Sequence, residues 1–164
     1  MRSLIIGAVL IATPVSAAPF YLGYADEAAL KAIDLGTIRR SGDTATVWIT
    51  LFFPKPLNFA GQSSQEMMVQ VRYDCAAATE QNIYATVYKP DGTVLRSMVP
   101  PGGASPVVPG SIGEGSFNAV CDPKSRKPER MTTTFEQMKA VYAGSMSAKQ
   151  ARPSQRFSEE GQHR

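Results

Sequence analysis

Between Ala45 and Phe53 apolar side chains occupy every second position: Ala45, Val47, Ile49, Leu51 and Phe53 share one face, and Thr46, Trp48, Thr50 and Phe52 share the other. A period of two marks a half-buried β-strand. The Ser41-Gly42-Asp43 cluster ahead of it is a turn. The apolar stretch from Ile33 to Arg39 supplies a partner strand, interrupted at Asp34-Leu35-Gly36, so the two read as a hairpin. Met67 to Cys75 alternates again, with Met67, Val69, Val71, Tyr73 and Cys75 on the face expected to meet the core. Two more strands, Ile83 to Tyr88 and Thr93 to Met98, flank Pro90-Asp91-Gly92, where proline presets φ and glycine accepts a positive φ.

The alternation then stops. Pro100 to Gly110 holds four prolines and three glycines, which describes a stiff surface loop without regular structure. Ser111 and Glu114 follow at capping-box spacing, in which each side chain satisfies a free backbone N–H of the other's turn. A short helix from Ile112 to Val120 is predicted, with Ile112, Phe117 and Val120 on its apolar face and Gly113 and Gly115 weakening it. Thr133 and Glu136 repeat the spacing, and Phe135, Met138, Tyr142 and Met146 recur at helical intervals. The fold class implied is α+β: an antiparallel sheet of about four to six strands, a short helix after the Pro-rich loop and a C-terminal helix.

The N-terminus changes the setting. Arg2, the apolar run from Leu4 to Ala12 and the small residues Val15-Ser16-Ala17 have the layout of a secretory signal peptide over residues 1–17. The run is shorter than the roughly 20 residues of a spanning helix, so no transmembrane anchor is expected after cleavage. Export to the periplasm or cell surface makes a disulfide between Cys75 and Cys121, the only cysteines, the expected outcome. The rest divides into one domain over residues 18–121, a linker over 122–131, a helix over 132–150 and a disordered tail over 151–164. Loss of Arg2 lowers the net charge from +3 to +2. The positive charges concentrate in the linker, at Lys124, Arg126, Lys127 and Arg130, and in the tail. No aromatic residues interleave with them as single-strand binders require, so nucleic acid is not an expected partner and the linker charges read as solvated.

Catalysis needs a convergent constellation, and none is visible. The single histidine, His163, is the penultimate residue, and both cysteines are consumed by one bond. Their separation of 46 positions is unlike the close spacing of a redox pair. Asp26 with Glu27, and Asp74 beside Arg72, read as surface charges. The methionines lack the histidines of a soft-metal motif. No enzyme, cofactor or metal is therefore expected. Trp48 and Phe52 stand out instead, because they project from the polar face of their strand. If that face is open they form a candidate binding patch. The alternative is that the C-terminal helix covers them, since Phe135, Met138 and Tyr142 need an apolar surface.

Several short segments occur together in a recognisable order: Ile33-Asp34, Thr37-Ile38-Arg39-Arg40, Val47-Trp48, Tyr73-Asp74-Cys75, Pro109-Gly110-Ser111 with Gly113-Glu114, and Val120-Cys121. In these the chain resembles the surface-adhesin protein E family of bacterial envelope proteins, from about Gly23 to Cys121. The resemblance implies a sheet with a packed helix, closed by Cys75 and Cys121, in a protein often dimeric and exposed on the cell surface. It also implies binding to extracellular or envelope proteins, so a protein partner is expected and a homodimer is consistent with it. Three features depart from the family: Ser105-Pro106-Val107-Val108 stands where a tryptophan is common, no lipid-bearing cysteine follows the signal, and the chain continues past Asp122. The alternative function is a periplasmic accessory or chaperone-like module of an envelope assembly, holding partners through a sheet edge or the basic tail.

Overall fold

The computed structural model describes residues 19–59 and 61–150. These form nine strands: β1 (Phe20–Ala25), β2 (Leu30–Asp34), β3 (Arg39–Ser41), β4 (Thr44–Phe59), β5 (Gln62–Asp74), β6 (Thr79–Tyr88), β7 (Val94–Met98), β8 (Ser105–Pro106) and β9 (Met131–Thr132). All pairings are antiparallel, and the sheet runs β7-β6-β5-β4-β2-β1-β9, with β3 beside β4 and β8 beside β6. Helix α1 (Ile112–Cys121) packs on one face and α2 (Phe135–Gln150) on the other. The expected signal peptide over residues 1–17 and the expected tail over 151–164 lie outside the described residues.

The period-two reading of β4 and β5 describes the core under α1. Ala45, Val47 and Ile49 of β4 meet Val69, Val71 and Tyr73 of β5, and Ala119 and Val120 of α1 close over them. The interruption at Asp34-Leu35-Gly36 is a single 3-10 turn between β2 and β3, both paired to β4, with the Asp34 carboxylate accepting from Gly36 N. The sheet is nonetheless larger than four to six strands. β1 and β2 are covered on both faces, Tyr21 and Ile33 by α1 and Phe20, Leu22, Leu30 and Ala32 by α2, and a strand buried on both sides shows no alternation. β4 continues past Phe53 through two prolines because no pairs form between Phe52 and Leu57, so the missing N–H groups break no ladder bond. Even the Pro-rich loop contributes β8, which pairs Ser105 and Pro106 with Glu80 and Thr79.

The segment expected as a solvated linker is folded onto the domain. Two 3-10 turns, Pro123–Ser125 and Pro128–Arg130, lead into β9, which pairs with β1. Helix α1 has no basic residue in its last turn, yet its final carbonyls are satisfied by two distant guanidiniums: Arg126 Nε donates to Ala119 O at 2.7 Å, and Arg40 donates to Val120 O. Burial and the neighbouring Arg40 lower the Arg126 pKa. Arg126 therefore closes a helix end, a role that supplies cations where the helix dipole is negative. Helix α2 starts at Phe135, one residue later than the Thr133 and Glu136 spacing predicts. Thr134 Oγ1 accepts from Gln137 N at 3.2 Å, Gln137 Oε1 accepts from Thr133 N at 3.2 Å, and Glu136 pairs with Lys139 at 2.6 Å.

At the start of α1, Ser111 Oγ accepts from Glu114 N at 3.3 Å. Glu114 Oε2 in turn accepts from Gly110 N at 2.8 Å, one residue before the cap. The two helix glycines have steric causes. A Cβ on Gly115 would stand 3.1 Å from the backbone oxygen of Gly23 in β1, and one on Gly113 would stand 2.9 Å from Glu80 Oε1. A Cβ on Gly23 would likewise stand 3.0 Å from the Ser116 hydroxyl, so glycines on both partners let α1 lie close to β1. The Cys75–Cys121 disulfide, with Cα atoms 5.5 Å apart, ties the far end of α1 to the end of β5.

Candidate functional site

The register of β4 separates Trp48 from Phe52. β2 pairs with β4 only from Ile49 to Phe52, with Leu30 opposite Phe52, and then leaves the sheet in the 3-10 turn. Because α2 rests on β1 and β2, Phe52 falls beneath it and meets the Tyr142 ring edge-on at 6.4 Å between centroids. Lys139 of α2 also lies over the Phe52 ring, 5.6 Å from its centroid. The Tyr142 hydroxyl donates to Asp26 O, which fixes α2 to the β1–β2 connection. Phe52 is half-buried and packs against a second core of Leu30, Ala32, Met138 and Tyr142.

Trp48 lies beyond the end of β2, where its backbone N–H donates to Thr37 Oγ1 at 3.0 Å. No helix covers it. Its ring meets Tyr84 of β6 at 6.1 Å in a T-shaped arrangement, across the intervening Gln70 of β5. Tyr84 is 37% exposed. Further along the same face, the Tyr88 hydroxyl donates to Met68 Sδ at 3.4 Å and Thr86 bonds Ser97 at 3.1 Å. Arg72, exposed, adds a cation beside Gln70. The result is an aromatic and thioether platform on β4, β5 and β6 with polar groups set among it. T-shaped pairing holds both rings while leaving surface for contact.

Trp48 and Phe52 therefore have different neighbours: Trp48 pairs with Tyr84, while Phe52 packs under α2 and lines a surface cavity with Met68 and Tyr88. Tyr84, Met68 and Tyr88 complete the platform and were not singled out by sequence reasoning. The alternation Tyr84, Thr86, Tyr88 within β6 carried the signal: these residues pair in unbroken register with Gln70, Met68 and Glu66, and the bulge falls just before Tyr84. Ser111 and Glu114 stand at the start of α1 on the opposite face, and Cys75 with Cys121 sit at its far end. None of these four touches the platform, and their arrangement is structural. Among the described residues no group of three or more His, Cys, Asp or Glu converges to hold a metal ion. No helix of the described residues is long and apolar enough to cross a membrane.

The family model for surface-adhesin protein E matches residues 22–122. The chain belongs to the surface-adhesin protein E family. Two crystal forms of Haemophilus influenzae protein E share the fold, with TM-scores of 0.51 and 0.50, each 13% identical in sequence. They cover 70% and 71% of this chain, and the match spans 92% and 98% of theirs. No curated protein sequence matches the chain. The matched span runs from β1 to just past Cys121, so it contains the platform, α1 and the disulfide. β9 and α2, the helix that packs on Phe52, come after it. At 13% identity the likeness speaks for the protein E fold and not for any shared contact residue.

Proposed function

We propose that this adhesin E-family protein is an exported, non-enzymatic envelope protein that binds a protein partner through the open platform of β4, β5 and β6. One observation carries the reading: Trp48 and Tyr84 are paired on the stretch of sheet that α2 leaves bare. Exposed aromatic clusters rimmed by polar groups mark interaction sites, and Trp and Tyr are enriched among the residues that dominate binding energy. The flat strand surface suits a second protein surface, including a second copy of the chain, and the disulfide suits an oxidising compartment.

The test compares the mature protein with a Trp48→Ser/Tyr84→Ser variant for retention on immobilised extracellular-matrix proteins and on intact cells. Loss of two central aromatics should weaken binding at least thirtyfold, since such positions typically contribute about 2 kcal/mol or more. Val141→Ser on the outer side of α2, where Val141 is 65% exposed, should leave it unchanged. Binding through the platform should also persist as salt rises, because attraction between exposed charges is screened beyond about 8 Å at physiological ionic strength. Equal retention of wild type and double variant would overturn the proposal. Protection of the protein from proteases added to intact cells would move its site of action to the periplasm.

A further inference from the structure

On the other face of the sheet, α1 covers only part of the apolar surface. Beside its first turn a cavity of about 360 Å3 remains, within the range of about 300–1,000 Å3 common for small-molecule sites. The floor is apolar and comes from Ile49 and Leu51 of β4 and Met67 and Val69 of β5. Lys31 enters this space. It alternates with Ile33 on β2 and pairs in register with Leu51, so its aliphatic stem runs along the same face. Among the described residues the only ion pair joins Lys139 to Glu136, which leaves Lys31 without a salt-bridge partner.

Two acids line the same cavity, and Asp26 is engaged within its own turn. Asp26 Oδ1 accepts from Ala28 N at 2.8 Å and Ala29 N at 2.9 Å, and its Oδ2 accepts from the Tyr24 hydroxyl at 2.7 Å. Glu80 Oε1 abuts the first turn of α1 at Gly113, beside the positive end of that helix. Burial lowers the Lys31 pKa, and the charge of Glu80 opposes that shift. A largely desolvated ammonium facing apolar walls is costly until an anion meets it.

We infer that this cavity binds a single-chain carboxylate amphiphile, with its head on Lys31 and its hydrocarbon body on the floor of β4 and β5. The site is independent of the Trp48 platform, which lies on the opposite face.

Calorimetric titration of the mature protein with hexanoate, octanoate and decanoate, each below its micelle-forming concentration, tests this directly. Affinity should rise roughly fourfold per added methylene, the equivalent of about 0.8 kcal/mol. Decanol, which lacks the charge, should bind at least tenfold more weakly than decanoate, since hydrogen bonds to charged groups contribute about 1.5–3 kcal/mol. Lys31→Met should reduce decanoate to the level of decanol, and Ala28→Trp at the exposed rim should obstruct all of them. Four results would overturn the inference: no decanoate binding in the millimolar range, equal affinity for decanol, a preference for decylammonium, or decanoate binding unchanged in both variants.

Discussion

Replacing both cysteines, as Cys75→Ala/Cys121→Ala, should cost the domain a large part of its stability and loosen α1 before anything else. The disulfide closes a loop with a sequence separation of 46 residues, for which the chain-entropy relation gives about 4 kcal/mol. A small domain has roughly 5–15 kcal/mol in total. The local effect follows from how α1 is held. Its two glycines each cost about 1 kcal/mol in helix propensity relative to alanine, so the helix depends on tertiary contacts. Those are the burial of Ala119 and Val120, the edge-on contact of Phe117 with Tyr73 at 5.9 Å, the Ser111 cap, the two guanidiniums at its C-terminus and the disulfide. Without the covalent tie, its end is held by noncovalent contacts alone.

Urea unfolding of the oxidised wild type and the double variant measures the global term. With a slope of about 1.5 kcal/mol/M, the midpoint should fall by roughly 2–3 M. Amide hydrogen exchange measures the local term, and protection across Ile112–Cys121 should fall more than protection in the β4–β5 ladder. A midpoint shift below about 0.5 M would mean that residual structure or strain offsets the loop entropy. Uniform loss of protection would refute the idea that the bond acts mainly as the fastening of α1.

Gly115→Ala should fail to stabilise the protein: the propensity gain of about 1 kcal/mol is opposed by a Cβ placed 3.1 Å from the Gly23 carbonyl oxygen. A raised thermal midpoint would show that β1 and α1 can separate freely. Lys31→Met should raise stability at pH 7, and the gain should shrink as pH approaches about 10.4, the ordinary lysine value. Folding lowers the Lys31 pKa, so between the folded value and the ordinary one the unfolded chain holds more protons and wild-type stability rises with pH. Unfolding midpoints measured for both proteins across pH 7–11 check this, and a difference that is flat or widens with pH would contradict it.

The alternation of β4 and β5 was legible because α1 buries one face of those strands and leaves the other partly wet. The same rule made β1 and β2 illegible. Phe20, Tyr21 and Leu22 are successive apolar residues because consecutive side chains go to different helices, and a run buried on both faces has no period to read. Arg126 was misread for a related reason. In sequence it is one charge in a cationic run, and only the end of a helix several residues earlier, together with Arg40 far upstream, gives it carbonyls to satisfy. Ser111 carries its partner within three residues, so its capping role could be read locally.

The candidate site shows the limit of local reading most sharply. Trp48 and Phe52 are four residues apart on one strand face, and nothing in that stretch distinguishes them. Their fates diverge because β2 ends opposite Ile49, at the Asp34 turn, and α2 follows β1 and β2 and not β4. Both rings stay half-buried, but Phe52 packs under α2 and Trp48 does not, through a boundary set at the Asp34 turn. The consequence is testable in the reverse direction: any change that extended β2 past Asp34 would draw cover toward Trp48 and reduce the platform, without altering a residue of the platform itself.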